Sequence, residues 1–102
     1  MTNEELTLAS KVAITRNISA HTVAATVTWN DDSRRLVLTY YLDQEATEED
    51  EEQCELALGD LLAEFSEIVS AEGNCLRLQA GNDPNNLNGL MYMRMLYLDA
   101  LS

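Results

Sequence analysis

The segment 46–73 constrains the fold of this chain most strongly, because its apolar residues recur every three or four positions. That spacing places them along one side of an α-helix. Thr47 followed by Asp50 fits a capping box, in which the two residues satisfy backbone N–H groups of the first turn. Gly73 and Asn74 are residue types that end helices. The sequence therefore predicts a helix over 47–71 whose buried side comprises Cys54, Leu58, Leu61, Leu62, Phe65, Ile68 and Val69.

The same segment concentrates the negative charge of the chain. Segment 43–72 holds twelve of the eighteen acidic residues and none of the six basic ones. The helix dipole favours acids in a first turn, but crowding this dense costs electrostatic repulsion. Two interpretations stay open, a solvated face typical of small acidic domains and a surface that binds a strongly basic partner. The predicted exposed face, opposite the apolar side, comprises Glu49, Glu52, Leu56, Asp60, Ala63 and Glu67.

The rest of the chain contains several β signals. Apolar and polar residues alternate over 23–29 and over 36–42, and turn residues lie between them, which predicts a β-hairpin. Val12, Ile14 and the β-branched Thr15 alternate loosely and predict a strand over about 8–15, although a short helix over 4–9 is possible. We also predict a strand over 74–80.

Two later stretches of the sequence, 81–86 and 88–98, remain to be assigned. Residues 81–86 are dense in turn-forming types and predict a loop, whereas 88–98 fits a strand or a helix equally well. The predicted fold is α+β, with an antiparallel sheet of about four or five strands and the 47–71 helix packed across one face. A length of 102 residues corresponds to a single domain over 1–102.

Charge and composition exclude several classes of function. A net charge of −12 argues against direct binding to nucleic acid or to an anionic membrane. Because the acidic N-terminus leads into no uninterrupted apolar run, we expect no secretory signal. No stretch of the sequence has the length of apolar residues that a transmembrane helix needs. Cys54 and Cys75 are then expected to be reduced thiols. The cytoplasm is the expected compartment.

No catalytic or metal-binding pattern is present. The single histidine, His21, fits a structural role and cannot complete a set of zinc ligands. The acids lie on a predicted exposed face, where nothing raises a carboxyl pKa by burial, and 31–33 lacks the spacing of a calcium-binding loop. We therefore expect no enzyme activity, no cofactor and no metal.

Half of the chain resembles a known class of bacterial proteins. The hairpin WNDDSRRLVLTYYLD, the acid-capped helix EATEEDEEQCELALGDLLAEF, the short strand NCLRL and a proline-containing loop follow one another. This order resembles immunity proteins of contact-dependent growth inhibition and related polymorphic toxin systems. The resemblance implies a cytoplasmic antidote that binds one cognate toxin domain, commonly a nuclease, and blocks its active site.

Charge and resemblance lead to the same hypothesis. A nuclease holds phosphates in a basic cleft, which a carboxylate-rich antidote can occupy. Leu56 is the candidate apolar anchor within the acidic face. Two rival hypotheses are an acidic, type III-like secretion chaperone that holds an effector segment and a DNA-mimic inhibitor. The residues expected to bind the partner are Asp43, Glu45, Glu48, Glu49, Glu52, Leu56 and Asp60.

Overall fold

The computed structural model describes residues 1–79 and 83–94. Within these ranges the predicted α+β class is confirmed, with two α-helices and four β-strands. In chain order the elements are α1 (Asn3–Arg16), β1 (Thr22–Asn30), β2 (Arg35–Leu42), α2 (Glu48–Glu64), β3 (Ser70–Arg77), a short 3-10 helix (Pro84–Asn86) and β4 (Leu90–Met93).

The four strands form one mixed sheet in the order β3-β2-β1-β4. The predicted hairpin is confirmed: β1 and β2 pair antiparallel, with Val27 opposite Leu38 and Ala25 opposite Tyr40. β4 is also antiparallel to β1. β2 and β3 pair in parallel instead, because the crossover through α2 returns the chain to the end of the sheet where β2 began.

Both helices pack on the same face of the sheet. Alternate residues of β2, from Leu36 to Leu42, point into one core cluster that also contains side chains of α1 and α2. Ile14 from α1 and Leu61 from α2 are almost completely buried there. The hydroxyl of Tyr40 donates a hydrogen bond to the carbonyl oxygen of Asn17, just after α1, and so joins the sheet to that helix.

The strand predicted over 8–15 is wrong, because these residues belong to α1. The Oγ1 of Thr2 caps this helix by accepting a hydrogen bond from the N–H of Glu5 at 3.1 Å. Its buried residues recur with helical spacing, whereas Val12, which suggested alternation with Ile14, is exposed. The buried residues of α1 are Leu6, Ser10, Ala13 and Ile14.

The predicted start of the acidic helix is confirmed, but its predicted end is wrong. The capping box between Thr47 and Asp50 is present, and α2 ends at Glu64 with Phe65 as its C-cap. β3 then begins at Ser70, so the predicted strand over 74–80 is displaced towards the N-terminus. Because β3 pairs with β2, it includes residues 70 and 71, which the sequence pattern assigned to the helix.

Gly73 therefore does not end a helix; it lies inside β3, where α2 passes close. A Cβ atom at this position would lie 3.2 Å from the Sγ of Cys54 and 3.5 Å from Leu58. Such a contact is tighter than carbon and sulfur normally make, so glycine allows the helix to approach the strand.

The ambiguous tail is a strand over Leu90–Met93, and the predicted loop contains the 3-10 helix Pro84–Asn86. Residues 81–82 of the predicted loop and 95–98 of the ambiguous tail lie outside the described residues, as does residue 80 at the end of the predicted strand 74–80. Neither described helix is long and apolar enough to cross a membrane.

Candidate functional site

The first turn of α2 holds its acids in two different environments. The carboxylate of Asp50 is buried, where it accepts a hydrogen bond from the backbone N–H of Thr47 at 2.9 Å. The Oγ1 of Thr47 accepts in turn from the N–H of Asp50 at 3.3 Å. Glu48, Glu49 and Glu51 point to solvent, where the positive end of the helix dipole favours their charge.

The outer side of α2 carries the centre of the predicted binding surface. Glu48, Glu49 and Glu52 are exposed, and within the described ranges none of them forms an ion pair with a lysine or arginine. Leu56 is also exposed, at 48% of its surface. Asp60 lies two turns beyond Glu52 and accepts a hydrogen bond from the Nδ2 of Asn17 at 2.8 Å. The structure thus brings these five predicted residues onto one helix face.

Asp43 and Glu45 lie beside this face, in the connection between β2 and α2. The Nη1 of Arg94 lies 3.0 Å from the Oδ2 of Asp43, and the Nη1 of Arg77 lies 3.6 Å from the Oε1 of Glu45. Both acids are therefore partly neutralised by cations of the same chain, unlike the glutamates of the first turn of α2.

Glu67, which the sequence pattern placed on the exposed helix face, lies beyond the end of α2. Its Oε2 accepts a hydrogen bond from the N-terminal amino group of Met1 at 2.7 Å. This contact raises the pKa of the amino group and lowers the pKa of the Glu67 carboxyl. Glu67 thus contributes to a contact within the molecule.

The sequence pattern missed an apolar groove between α1 and α2. Leu8 and Val12 stand one turn apart on the outer side of α1 and line this groove, which has a volume of about 390 Å³. Both side chains are more than half exposed. The signal for them is their spacing of four residues, which the strand interpretation of 8–15 concealed.

The single histidine and the two cysteines make contacts within the fold. The Nδ1 of His21 lies 3.2 Å from the Oδ1 of Asp50 and 3.2 Å from the Nε2 of Gln44. Burial raises the pKa of both thiols, that of Cys54 to about 12, so neither is a thiolate at neutral pH. No cluster of acids, histidines and cysteines in residues 1–79 and 83–94 is arranged to hold a metal. The described residues present to solvent an acidic helix face and the groove between α1 and α2.

Comparison with known proteins identifies a family whose model matches most of the chain. The model of a protein family described as MafI2 immunity protein matches residues 3–95. No curated protein matches the sequence. The matched range includes α1, the hairpin, the acidic helix α2 and both later strands. The chain therefore belongs to the MafI2 immunity protein family, non-enzymatic proteins of polymorphic toxin systems that neutralise a cognate toxin.

Proposed function

We propose that this immunity protein blocks the active site of a basic toxin with the outer face of α2, and that the toxin is a nuclease. A nuclease needs a cationic cleft to hold the phosphates of its substrate. Carboxylates that enter such a cleft compete with those phosphates and accelerate association through long-range attraction. We place this encounter in the cytoplasm.

One observation carries the proposal. The exposed acids of the first turns of α2 have no cationic partner within the described residues, whereas Asp43, Glu45 and Glu72 each face an arginine of the same chain. Repulsion among unpaired carboxylates destabilises the free protein. A basic partner that relieves this repulsion on binding explains why the protein keeps so many acids on one surface.

Family membership favours an antidote over the secretion chaperone, the first rival hypothesis. The DNA-mimic hypothesis differs from ours only in how the carboxylates are arranged. A DNA mimic spreads them at phosphate-like intervals over a large surface. Here they are concentrated at one helix end, which supports insertion into a single cleft.

Charge reversal on α2 tests the proposal. In the double variant Glu49→Lys with Glu52→Lys, both positions are exposed and neither contributes to the core. We expect association with the cognate toxin domain to slow by about tenfold or more, together with loss of protection in cells that produce the toxin. Association rates are measured by stopped flow at several salt concentrations, and inhibition is measured as residual cleavage of DNA and RNA.

The control is the double variant Glu4→Lys with Asp32→Lys, which changes the net charge equally. Glu4 lies in the first turn of α1, as Glu49 does in α2, and Asp32 lies in the turn of the hairpin. If both double variants slow association equally, total charge matters and the face of α2 does not. If the toxin cleaves neither nucleic acid, it is not a nuclease.

A further inference from the structure

The groove between α1 and α2 combines exposed apolar side chains with an acidic rim. We propose that it receives an apolar side chain of the toxin flanked by lysine or arginine residues, in addition to the contact made by the outer face of α2. This inference rests on the proposed function, because it takes the same toxin as the partner. Asp60 belongs both to the outer face of α2 and to the lining of the groove, so the two contacts adjoin.

The large exposed apolar side chains of the groove come from α1. Leu8 is 67% exposed and Val12 is 54% exposed. The small side chains of Ala9, Ala13 and Ala63 line the space beside them, which leaves a volume of about 390 Å³ between the two helices. Such a volume lies near the lower end of roughly 300–1,000 Å³, the usual range for ligand pockets. It is therefore suited to one large side chain rather than to an extended apolar surface.

The charges around the groove identify the chemistry of its occupant. Three acids line it, Glu5 from α1 and Asp60 and Glu64 from α2, and Arg16 is the one base among the lining residues. An apolar anchor with neighbouring cations would bury its hydrophobic part between the helices and pair its charges with this rim.

The same charges disfavour a second copy of this chain as the occupant. Each copy carries a net charge of −12, so self-association through an acidic groove would bring like charges together. A basic toxin is attracted by the same field. The charge balance therefore favours the toxin as the partner.

The double variant Leu8→Gln with Val12→Gln tests the groove. Glutamine keeps a high helix propensity, and both positions are exposed, so we expect an unchanged thermal unfolding midpoint. The dissociation constant for the cognate toxin domain should rise by about thirtyfold or more, mainly through faster dissociation. The control is Leu62→Gln with Leu76→Gln, two residues 43% and 50% exposed that do not line the groove. This control should change the dissociation constant by less than about threefold.

A second variant changes the side of the groove that α2 forms. Ala63→Phe should fill the groove from α2 and weaken toxin binding, although no residue of α1 is substituted. Calorimetry and kinetics of both groove variants are compared with those of Glu49→Lys with Glu52→Lys. Weaker binding through faster dissociation in the groove variants, with unchanged salt dependence of association, supports the inference.

Other outcomes contradict the inference in distinguishable ways. If both groove variants bind like the parent while charge reversal still slows association, the groove is not a contact but the proposed function stands. If charge reversal also has no effect, both proposals fail. If sedimentation shows a dimer of the parent that Leu8→Gln with Val12→Gln converts to monomers with unchanged toxin binding, the groove joins two copies of this chain.

Discussion

Asp50 connects two parts of the fold, the start of α2 and the connection between α1 and β1, through one buried carboxylate. It caps the first turn of α2 together with Thr47, and its Oδ1 lies 3.2 Å from the Nδ1 of His21, which precedes β1. Burial alone would raise the pKa of this carboxyl, but hydrogen bonds from Thr47, Ser19 and His21 outweigh burial and lower it below its ordinary value of 3.8. The charged form is therefore the one that stabilises the fold.

Replacing this carboxylate should have a large and pH-dependent cost. We expect Asp50→Ala to lower the free energy of unfolding by about 2–3 kcal/mol at pH 7, because the cap and a buried acceptor are both lost. A carboxyl whose pKa is lowered by folding stabilises the protein above its unfolded-state pKa, and this contribution is lost as the pH falls through the folded-state value. Urea denaturation should therefore show a smaller difference between variant and parent at pH 3 than at pH 7.

The control for this prediction lies two residues earlier in the same turn. Glu48 is exposed and has no hydrogen bond to the cap. Glu48→Ala should cost less than about 1 kcal/mol. A cost of Asp50→Ala that stays constant between pH 7 and pH 3 would show that the charge of Asp50 does not stabilise the fold.

At the scale of elements, the apolar side of α2 is narrower than the sequence pattern indicates. Phe65 is buried against the core cluster, whereas Leu62 is 43% exposed although its spacing fits the same stripe. Val69, assigned to the end of the helix, lies just before β3 and donates its backbone N–H to the carbonyl oxygen of Arg34 at 2.9 Å. The buried side of α2 thus excludes Leu62 and ends at Phe65, where the helix itself ends.

Two truncations on α2 test this difference between pattern and packing. Phe65→Ala should cost about 3–5 kcal/mol, because it removes a large buried side chain. Leu62→Ala should cost about 1 kcal/mol or less, because much of that side chain is already in water. Urea denaturation of both variants gives the comparison. Equal losses would mean that Leu62 packs as deeply as the helical pattern alone suggests.

At the scale of the whole molecule, the densest group of acids and the apolar core lie in different places. The core lies between the sheet and the two helices, while a dense group of exposed acids, Glu48, Glu49, Glu51 and Glu52, lies at the N-terminal end of α2. This arrangement allows the protein to carry a net charge of −12 without placing the repulsion inside the core. The repulsion still lowers the stability of the free protein.

Salt should therefore stabilise the free protein. Raising the sodium chloride concentration from about 20 to about 500 mM shortens the screening length severalfold. We expect the thermal unfolding midpoint to rise by roughly 3–6 °C, which corresponds to about 1 kcal/mol or less for a protein of this size. Glu49→Gln with Glu52→Gln should reduce this response, because two of the repelling charges are gone. A midpoint that falls with added salt would contradict the role given to these acids.

The sequence alone determined the elements whose signals are local. Hairpin strands show a two-residue alternation and their turn residues lie between them. The start of α2 is likewise specified by Thr47 and Asp50, which are three residues apart. The predicted exposure of Glu49, Glu52 and Leu56 followed from the same helical period, so the centre of the candidate surface was predictable.

Only the tertiary structure decided the features that depend on distant partners. α2 ends early because β3 pairs with β2, from which it is separated by the whole helix. Segment 8–15 is helical because Leu6, Ala13 and Ile14 share one core with residues of the sheet, and its local alternation gave no sign of that contact. The groove between α1 and α2 exists only once both helices pack on the same face. Local periodicity predicts an element, whereas its end and its neighbours depend on which apolar surfaces meet when the chain folds.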